Sequence, residues 1–319
     1  MSFLYYTLLN GAEQERYRHY RLHYGKGTSF FKAKINRKKI WLDELEVPIT
    51  TCCSLCCRNC ANLLQYYEVP SHVPSEQIIK NLSAVLSAID GVRLIRILGG
   101  EPLLHPDLYG ILNFCIKELN AVREIEIITN GTLLFQNDVI ELIKACPEII
   151  VVISDYGVNS GKLHLLVQQL EDNGIRNIVT RSEWRTKADL RRRRRSKYST
   201  RRLFRQCCRY TSLLNEELHI CPRSCHGTNL HVISKREKDY VQTGRYKDDK
   251  AALKKAIIRM LERPCVEACY YCDGDGKVAD KLEVVPAGEQ CSRSEARACL
   301  QEMKQAESQG MMQRRSVRG

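Results

Sequence analysis

Between residues 46 and 181, short apolar runs and amphipathic stripes alternate about five times. Residues 46–51 form a β-rich run. After it, residues 75–89 place Ile78, Ile79, Leu82, Val85 and Leu86 at helical spacing behind Pro74-Ser75, with Glu76 in the first turn, so the pattern predicts a helix. The same reading gives strands at 92–98, 124–128, 149–153 and 175–180, and helices at 107–119, 135–146 and 162–173. Alternation of this kind means βαβ units around a parallel sheet. Five or six repeats are too few to close an eight-unit barrel. The expected fold is therefore α/β, an open, partial TIM-like barrel whose mouth is covered by something else. The pattern also divides the chain: 1–45 is an extension rich in Tyr and Arg without a period, 46–182 the barrel core, 183–205 a basic linker, and 206–319 a smaller cysteine-bearing domain with a basic tail.

Cysteine placement changes the picture. The 319 residues include 16 Cys in groups, with five between 52 and 60, four between 207 and 225, and three between 265 and 272. Directly after the first strand, Cys53, Cys57 and Cys60 make a C-x3-C-x2-C triplet. A loop with that spacing can wrap three thiolates around one face of an iron–sulfur cubane and leave the fourth iron open to a small molecule. Cys52 and Cys56 give no second triplet, because position 59 is Asn. A zinc knuckle would show two C-x2-C pairs or Cys/His pairs. A disulfide cluster needs an oxidising compartment, and residues 3–9 lack the basic flank and cleavage site of a signal peptide. No apolar run approaches the ~18 residues of a membrane span, and the reading points to a cytoplasmic protein.

The candidate ligand-binding residues all follow strands, the edge where parallel α/β architectures build their sites. They are Gly99-Gly100-Glu101-Pro102, Thr129-Asn130-Gly131-Thr132 and Ser154-Asp155. Paired glycines let backbone approach a ligand closely, with no Cβ in the way, and a Glu after them can accept a charge-assisted hydrogen bond from an ammonium group. His105, in the helix-entry segment behind them, reads as structural.

The C-x3-C-x2-C triplet followed by Gly-Gly-Glu-Pro resembles the radical S-adenosylmethionine (SAM) superfamily. That resemblance implies a partial (β/α)6 barrel and a [4Fe–4S] cluster on Cys53, Cys57 and Cys60 whose open iron chelates SAM. It implies that Glu101, with Gly99, Gly100 and Pro102, handles the SAM amino group. Thr129, Asn130, Ser154 and Asp155 sit where such enzymes contact the ribose or carboxylate, and Arg181 adds a carboxylate contact. The activity implied is reductive cleavage of SAM to a 5′-deoxyadenosyl radical that abstracts a hydrogen atom.

Beyond residue 200, Cys207, Cys221-Pro222 and Cys269-Tyr-Tyr-Cys272 resemble the twitch form of the SPASM extension, a small α+β domain that implies one auxiliary [4Fe–4S] cluster on Cys207, Cys221, Cys269 and Cys272. Cys207 is preferred to Cys208 on spacing, and Asn215-Glu216-Glu217 stands where that form carries Gly in its hairpin turn. Zinc on the same four thiols is the chemical alternative. Cys225 and Cys265 lie beside these ligands and are candidate hydrogen-atom donors. Relatives with this extension act on ribosomally made peptides and on sugars or aminoglycosides, with oxidation, cross-linking or epimerisation as outcomes.

The net charge of +13 allows a nucleic acid, an acidic substrate or an acidic electron donor such as flavodoxin or ferredoxin. Much of it lies in the five arginines 191–195 and in Arg201, Arg202 and Arg205. An Arg run is most often a solvated loop, and this one has no aromatic platform beside it of the kind nucleic-acid modules use. The competing class is an iron–sulfur or zinc protein that binds nucleic acid without radical chemistry.

Overall fold

The apolar runs become the strands of one sheet. In a computed structural model the described residues are 33–36, 39–181, 184–186, 189–207, 210–246, 249–274 and 282–316. Strand β1 (Ala33–Asn36) pairs antiparallel with the start of β2 (Lys39–Thr50). Then come α1 (Ser75–Ala88), β3 (Gly91–Gly99), α2 (Leu108–Lys117), β4 (Val122–Thr129), α3 (Asn137–Lys144), β5 (Ile149–Ser154), α4 (Leu163–Asp172) and β6 (Asn177–Thr180). Strands β2 to β6 are parallel neighbours in chain order, the arrangement that helical crossovers impose.

The register shows why the sheet holds. Leu45, Ile95 and Ile125 are partners across three strands, as are Val47, Ile97 and Ile127. All six are at most 1% exposed and share a core with Ile78, Leu82 and Val85 of α1. Each such side chain contributes roughly 1.5–3 kcal/mol by leaving water. The opposite face carries Glu44 and Glu46 of β2, Arg96 of β3 and Glu126 of β4. There Arg96 pairs with Glu44 at 2.8 Å and Glu126 at 2.7 Å and lies over the ring of Tyr210. A charge taken from water needs such partners, and here the partners join three strands to the start of the second half.

That second half continues the same sheet. After β7 (Trp184–Arg185) and α5 (Lys197–Gln206), β8 (Thr211–Leu214) runs parallel to β2, so six strands are parallel. Strands β9 (Glu217–His219) and β10 (Tyr240–Gln242) extend that edge antiparallel. The β8–β9 turn uses Asn215 at φ 54, a left-handed conformation that Asn tolerates better than most residues, which is how the turn forms without Gly. Helices α6 (Pro222–Asn229) and α7 (Lys250–Leu261), strand β11 (Val284–Val285) paired with β7, and α8 (Arg293–Ser316) complete the described chain. No helix among the described residues is long and apolar enough to cross a membrane.

Two expectations are corrected. The first barrel strand starts at Lys39 rather than 46, because Ile40 and Leu42 are fully buried while charged or aromatic residues alternate with them. The segment read as a basic linker is structured along most of its length: 197–206 is helical with Ser196 as its cap, and Arg192, Arg193 and Arg195 before it are paired, as described below.

Candidate metal centre

Two groups of thiols stand out, one at the carboxyl edge of the parallel strands and one in the second half. The loop after β2 carries Cys53, Cys57 and Cys60. Burial pushes the Cys53 thiol up to about 12 and Cys57 to about 11, and each has Cys60 as a further electrostatic neighbour that adds to the rise. Cys60 is raised for the same first reason. Three thiols in one loop, Cys57 buried and Cys53 and Cys60 partly so, resist becoming thiolates unless a positive centre joins them, and an iron–sulfur cluster supplies one. Backbone geometry already favours the ligand form, since the amide of Leu55 donates to Cys53 Sγ at 3.5 Å. The donor set therefore fits a cluster. Among the described residues, no three His, Cys, Asp or Glu side chains close on a single metal ion, whereas a cubane spreads its thiolates over separate irons.

The loop is clamped from two sides. The Gly99-Gly100 step lies against its backbone: the Gly100 amide donates to Thr50 O at 2.8 Å and the Glu101 amide to Cys52 O at 2.9 Å. A Cβ on Gly100 would stand 2.0 Å from Cys52 O, and one on Gly99 2.3 Å from Thr50 O. These glycines thus make room for the cysteine loop itself. Gly100→Ala should therefore destabilise the chain by about 1–3 kcal/mol, the cost of overpacking, in a denaturant titration. Gly161→Ala, whose Cβ would meet nothing within 4 Å, should stay within about 0.5 kcal/mol.

Glu101 is fully buried. Its Oε1 accepts from Thr129 Oγ1 at 2.8 Å and from the Leu103 amide at 3.1 Å, and Oε2 accepts from the Asn130 amide at 2.8 Å. Burial raises the carboxyl to about 7 against the pull of these hydrogen bonds. Asn130 Nδ2 then donates to Ser54 Oγ at 3.1 Å and reaches Cys53 Sγ at 3.7 Å. The Gly-Gly-Glu-Pro and Thr-Asn-Gly-Thr turns and the cysteine loop are thus one hydrogen-bonded unit. His105 is structural as read: its Nδ1 accepts from the Asp107 amide at 3.1 Å, so Nε2 donates to Val73 O at 2.8 Å.

Ser154 and Asp155 follow β5. Asp155 pairs with Arg181 at 2.7 Å, so these two candidates face each other at the sheet edge. Neighbouring Tyr156, which the sequence reading passed over, has its hydroxyl raised first by burial and further by Cys60, Cys57 and Cys53. Ser160 was missed too; its Oγ donates to Asn130 O at 2.7 Å and ties that turn to the β5 loop. Only their position in a loop after a strand pointed to either.

The second group draws on three segments. Cys207 ends α5, Cys221 caps α6, and Cys269 lies within a 3-10 turn, Glu267–Tyr271, that Cys272 ends; Cys208 lies outside the described residues. Burial raises Cys269, and Cys221, Cys272 and Cys207 are its electrostatic neighbours. Cys221 is pushed up to about 12 by burial. Amides again point at sulfur: Ser224 N donates to Cys221 Sγ at 3.3 Å and Gly274 N to Cys272 Sγ at 3.2 Å.

Around this group the arginine run has partners. Arg193 pairs with Asp273 at 2.5 Å, Arg195 pairs with Asp273 and donates to Cys272 O, and Arg192 pairs with Glu267. Arg223 of α6 donates to Tyr271 O at 3.2 Å and to Asp189 O at 2.5 Å. The run is a clamp on the Cys269–Cys272 turn and brings positive charge to it. Cys225 is buried beside Ser212, with Glu217, Cys221 and Glu46 as charged neighbours, and Cys265 has Arg201, Arg263, Asp239 and Lys197 around it.

The chain's last described segment returns to the first group. Arg58 N donates to Glu289 O at 2.7 Å and Cys291 N to Cys56 O at 2.8 Å, while Cys56 Sγ and Cys291 Sγ are 3.7 Å apart. Arg58 adds ion pairs to Glu289 and Glu295.

Residues 47–187 match the model of the Radical SAM superfamily. GTP 3′,8-cyclase 1 of Mycobacterium tuberculosis is 32% identical over 106 residues, 31% of this chain and 28% of that protein. GTP 3′,8-cyclase of Thermodesulfovibrio yellowstonii is 35% identical over 111 residues, 32% of this chain and 31% of that protein. The chain thus spans under a third of the length of either relative. Among solved structures, BtrN in complex with AdoMet and 2-DOIA superposes on 76% of this chain and 98% of its own with 14% identity and a TM-score of 0.47. The stretch that matches the superfamily model, residues 47–187, is the one that carries the cysteine loop at the carboxyl edge of the parallel strands.

Proposed function

We propose that the chain is a radical SAM enzyme that binds its SAM-activating [4Fe–4S] cluster through Cys53, Cys57 and Cys60 and a second, auxiliary [4Fe–4S] cluster through Cys207, Cys221, Cys269 and Cys272. Its proposed substrate is a peptide or a sugar-type molecule, from which it abstracts a hydrogen atom on the way to oxidation, cross-linking or epimerisation. The observation that carries the proposal is the gathering of Cys207, Cys221 and Cys272 around Cys269 from three separate segments, under an arginine clamp. When bound, the reduced first cluster supplies the electron that cleaves SAM to methionine and a 5′-deoxyadenosyl radical; such cofactors carry the hard chemistry.

The chain's own residues have distinct tasks. A carboxylate offers about four acceptor positions; Glu101 uses three on Thr129, Leu103 and Asn130, and the fourth suits the SAM ammonium. Thr129 and Asn130 hold the adjacent turn, Ser154 and Asp155 with Arg181 serve the ribose and carboxylate end, and Tyr156 walls the thiols. The arginines offset the negative charge of a four-thiolate cluster. Cys225 or Cys265 would return a hydrogen atom in an epimerisation. An acidic protein such as flavodoxin or ferredoxin is the proposed electron donor.

Glu101 gives a quantitative expectation. A charge-assisted hydrogen bond is worth about 1.5–3 kcal/mol, so Glu101→Ala should raise the SAM Kd about tenfold or more, read by equilibrium dialysis. Because the free carboxyl titrates at about 7 and an ammonium needs it ionised, wild-type affinity should weaken as pH falls through 7, by up to about tenfold per unit. In the variant this slope should vanish. A parallel slope in both proteins would remove Glu101 from the ammonium site.

The proposal is tested by anaerobic reconstitution followed by iron, sulfide and zinc analysis and by EPR with and without SAM. About eight irons per chain, four for each cluster, and a signal that shifts with SAM are expected. About four irons with zinc in place of the rest would remove the auxiliary cluster. Substrate trials should set peptides and amino sugars beside GTP, the nucleotide named for the curated relatives.

A further inference from the structure

Gln290 lies 230 residues from the cysteine loop in sequence yet touches it twice through one side chain. Its Oε1 accepts from the Cys56 amide at 2.7 Å, and its Nε2 donates to Cys57 Sγ at 3.3 Å and to Gly288 O at 2.6 Å. The amide is held flat against the loop from both ends. Gly288 adopts φ +71 and packs where a Cβ would stand 2.6 Å from Tyr156 Cβ, and its carbonyl also accepts from Asn159 Nδ2 at 3.1 Å. On the other side, the backbone pairs of Arg58 with Glu289 and of Cys291 with Cys56 fix the register. An amide so constrained cannot rotate to exchange its oxygen and nitrogen, because the Cys56 N–H demands an acceptor where Oε1 sits.

We infer that Gln290 is a positioning residue for the SAM-activating cluster, its Nε2–H donating to the Cys57 thiolate and drawing electron density from it. The inference rests on the reading of Cys57 as a cluster ligand. Groups that hydrogen-bond to metal ligands orient them and tune the metal, and losing one typically weakens metal binding about 10–100-fold; hydrogen bonds to cluster sulfurs are also among the determinants of reduction potential. The segment carrying Gln290 is the one that closes back on the loop, so seating it and tuning the cluster are one event.

The test compares full-length reconstituted wild type with Gln290→Glu and Gln290→Ala. Glu keeps the oxygen that accepts from Cys56 but turns an anionic oxygen toward the Cys57 sulfur; Ala removes both contacts. Two readouts are used: the rate at which EDTA strips iron from the SAM-responsive cluster, and the potential at which its EPR signal appears. Iron at the second site serves as the internal control for folding. The expected order of iron loss is Gln290→Glu fastest, about 10–100-fold above wild type, with Gln290→Ala between, and potentials falling in the same order. If Gln290→Glu matches wild type while Gln290→Ala loses iron faster, Gln290 only braces the Cys56 backbone and the inference is overturned. A wild-type chain with no SAM-responsive cluster overturns it at its foundation, and the SAM-dependent EPR shift tells that failure from the first.

Discussion

Replacing Cys53, Cys57 and Cys60 together by Ala should bring 5′-deoxyadenosine formation to background while leaving about four of about eight irons in the chain. The effect is the largest expected because the three thiols share one loop, and both Cys53 and Cys57 have Cys60 as an electrostatic neighbour. The loop should keep its path, since Gly100, Glu101 and Asn130 grip it through backbone and through Ser54. Removing three thiols, of which only Cys57 is buried, leaves space rather than unpaired charge, so the variant should fold and the second group of thiols should load. Iron and sulfide counts with EPR measure the first effect, and chromatographic detection of 5′-deoxyadenosine the second. Continued SAM cleavage with dithionite would dismiss this loop as the site.

Cys269→Ala with Cys272→Ala should do the reverse. Iron should fall from about eight to about four per chain, uncoupled SAM cleavage should survive, and conversion of substrate should be lost. The turn itself should persist, because Arg192 with Glu267 and Arg193 with Asp273 clamp it independently of sulfur. Some stability should go with the metal, since ligand bonds contribute folding free energy where the local core is thin. Retention of all iron in this double variant would dismiss the auxiliary site, and full turnover would show that the substrate half of the reaction does not use it.

The parallel strands were legible because strands buried on both faces run continuously apolar, as 149–153 does, and because the helices between them carry clear stripes. The start of β2 was not, since Lys39, Trp41 and Asp43 interrupt the run and only their neighbours Ile40 and Leu42 are buried. The cysteine loop and the two turns that clasp it could be read because their residues are close in sequence and follow strands. Pairings across long separations could not. Arg192, Arg193 and Arg195 look solvated until Glu267 and Asp273 are placed against them, and nothing local marks Gln290 as a neighbour of Cys57. Glycines 99 and 100 were read as making room for a ligand, and the backbone they make room for is that of Thr50 and Cys52. A pattern reports which face a residue takes; the partner it meets there depends on the fold.

The central claim is that the cysteine loop carries SAM-cleaving radical chemistry. It is tested most directly by incubating the anaerobically reconstituted chain with SAM and dithionite and quantifying 5′-deoxyadenosine and methionine. The account predicts both in equal amounts, dependent on Cys53, Cys57 and Cys60. A fully loaded chain that forms neither would contradict it.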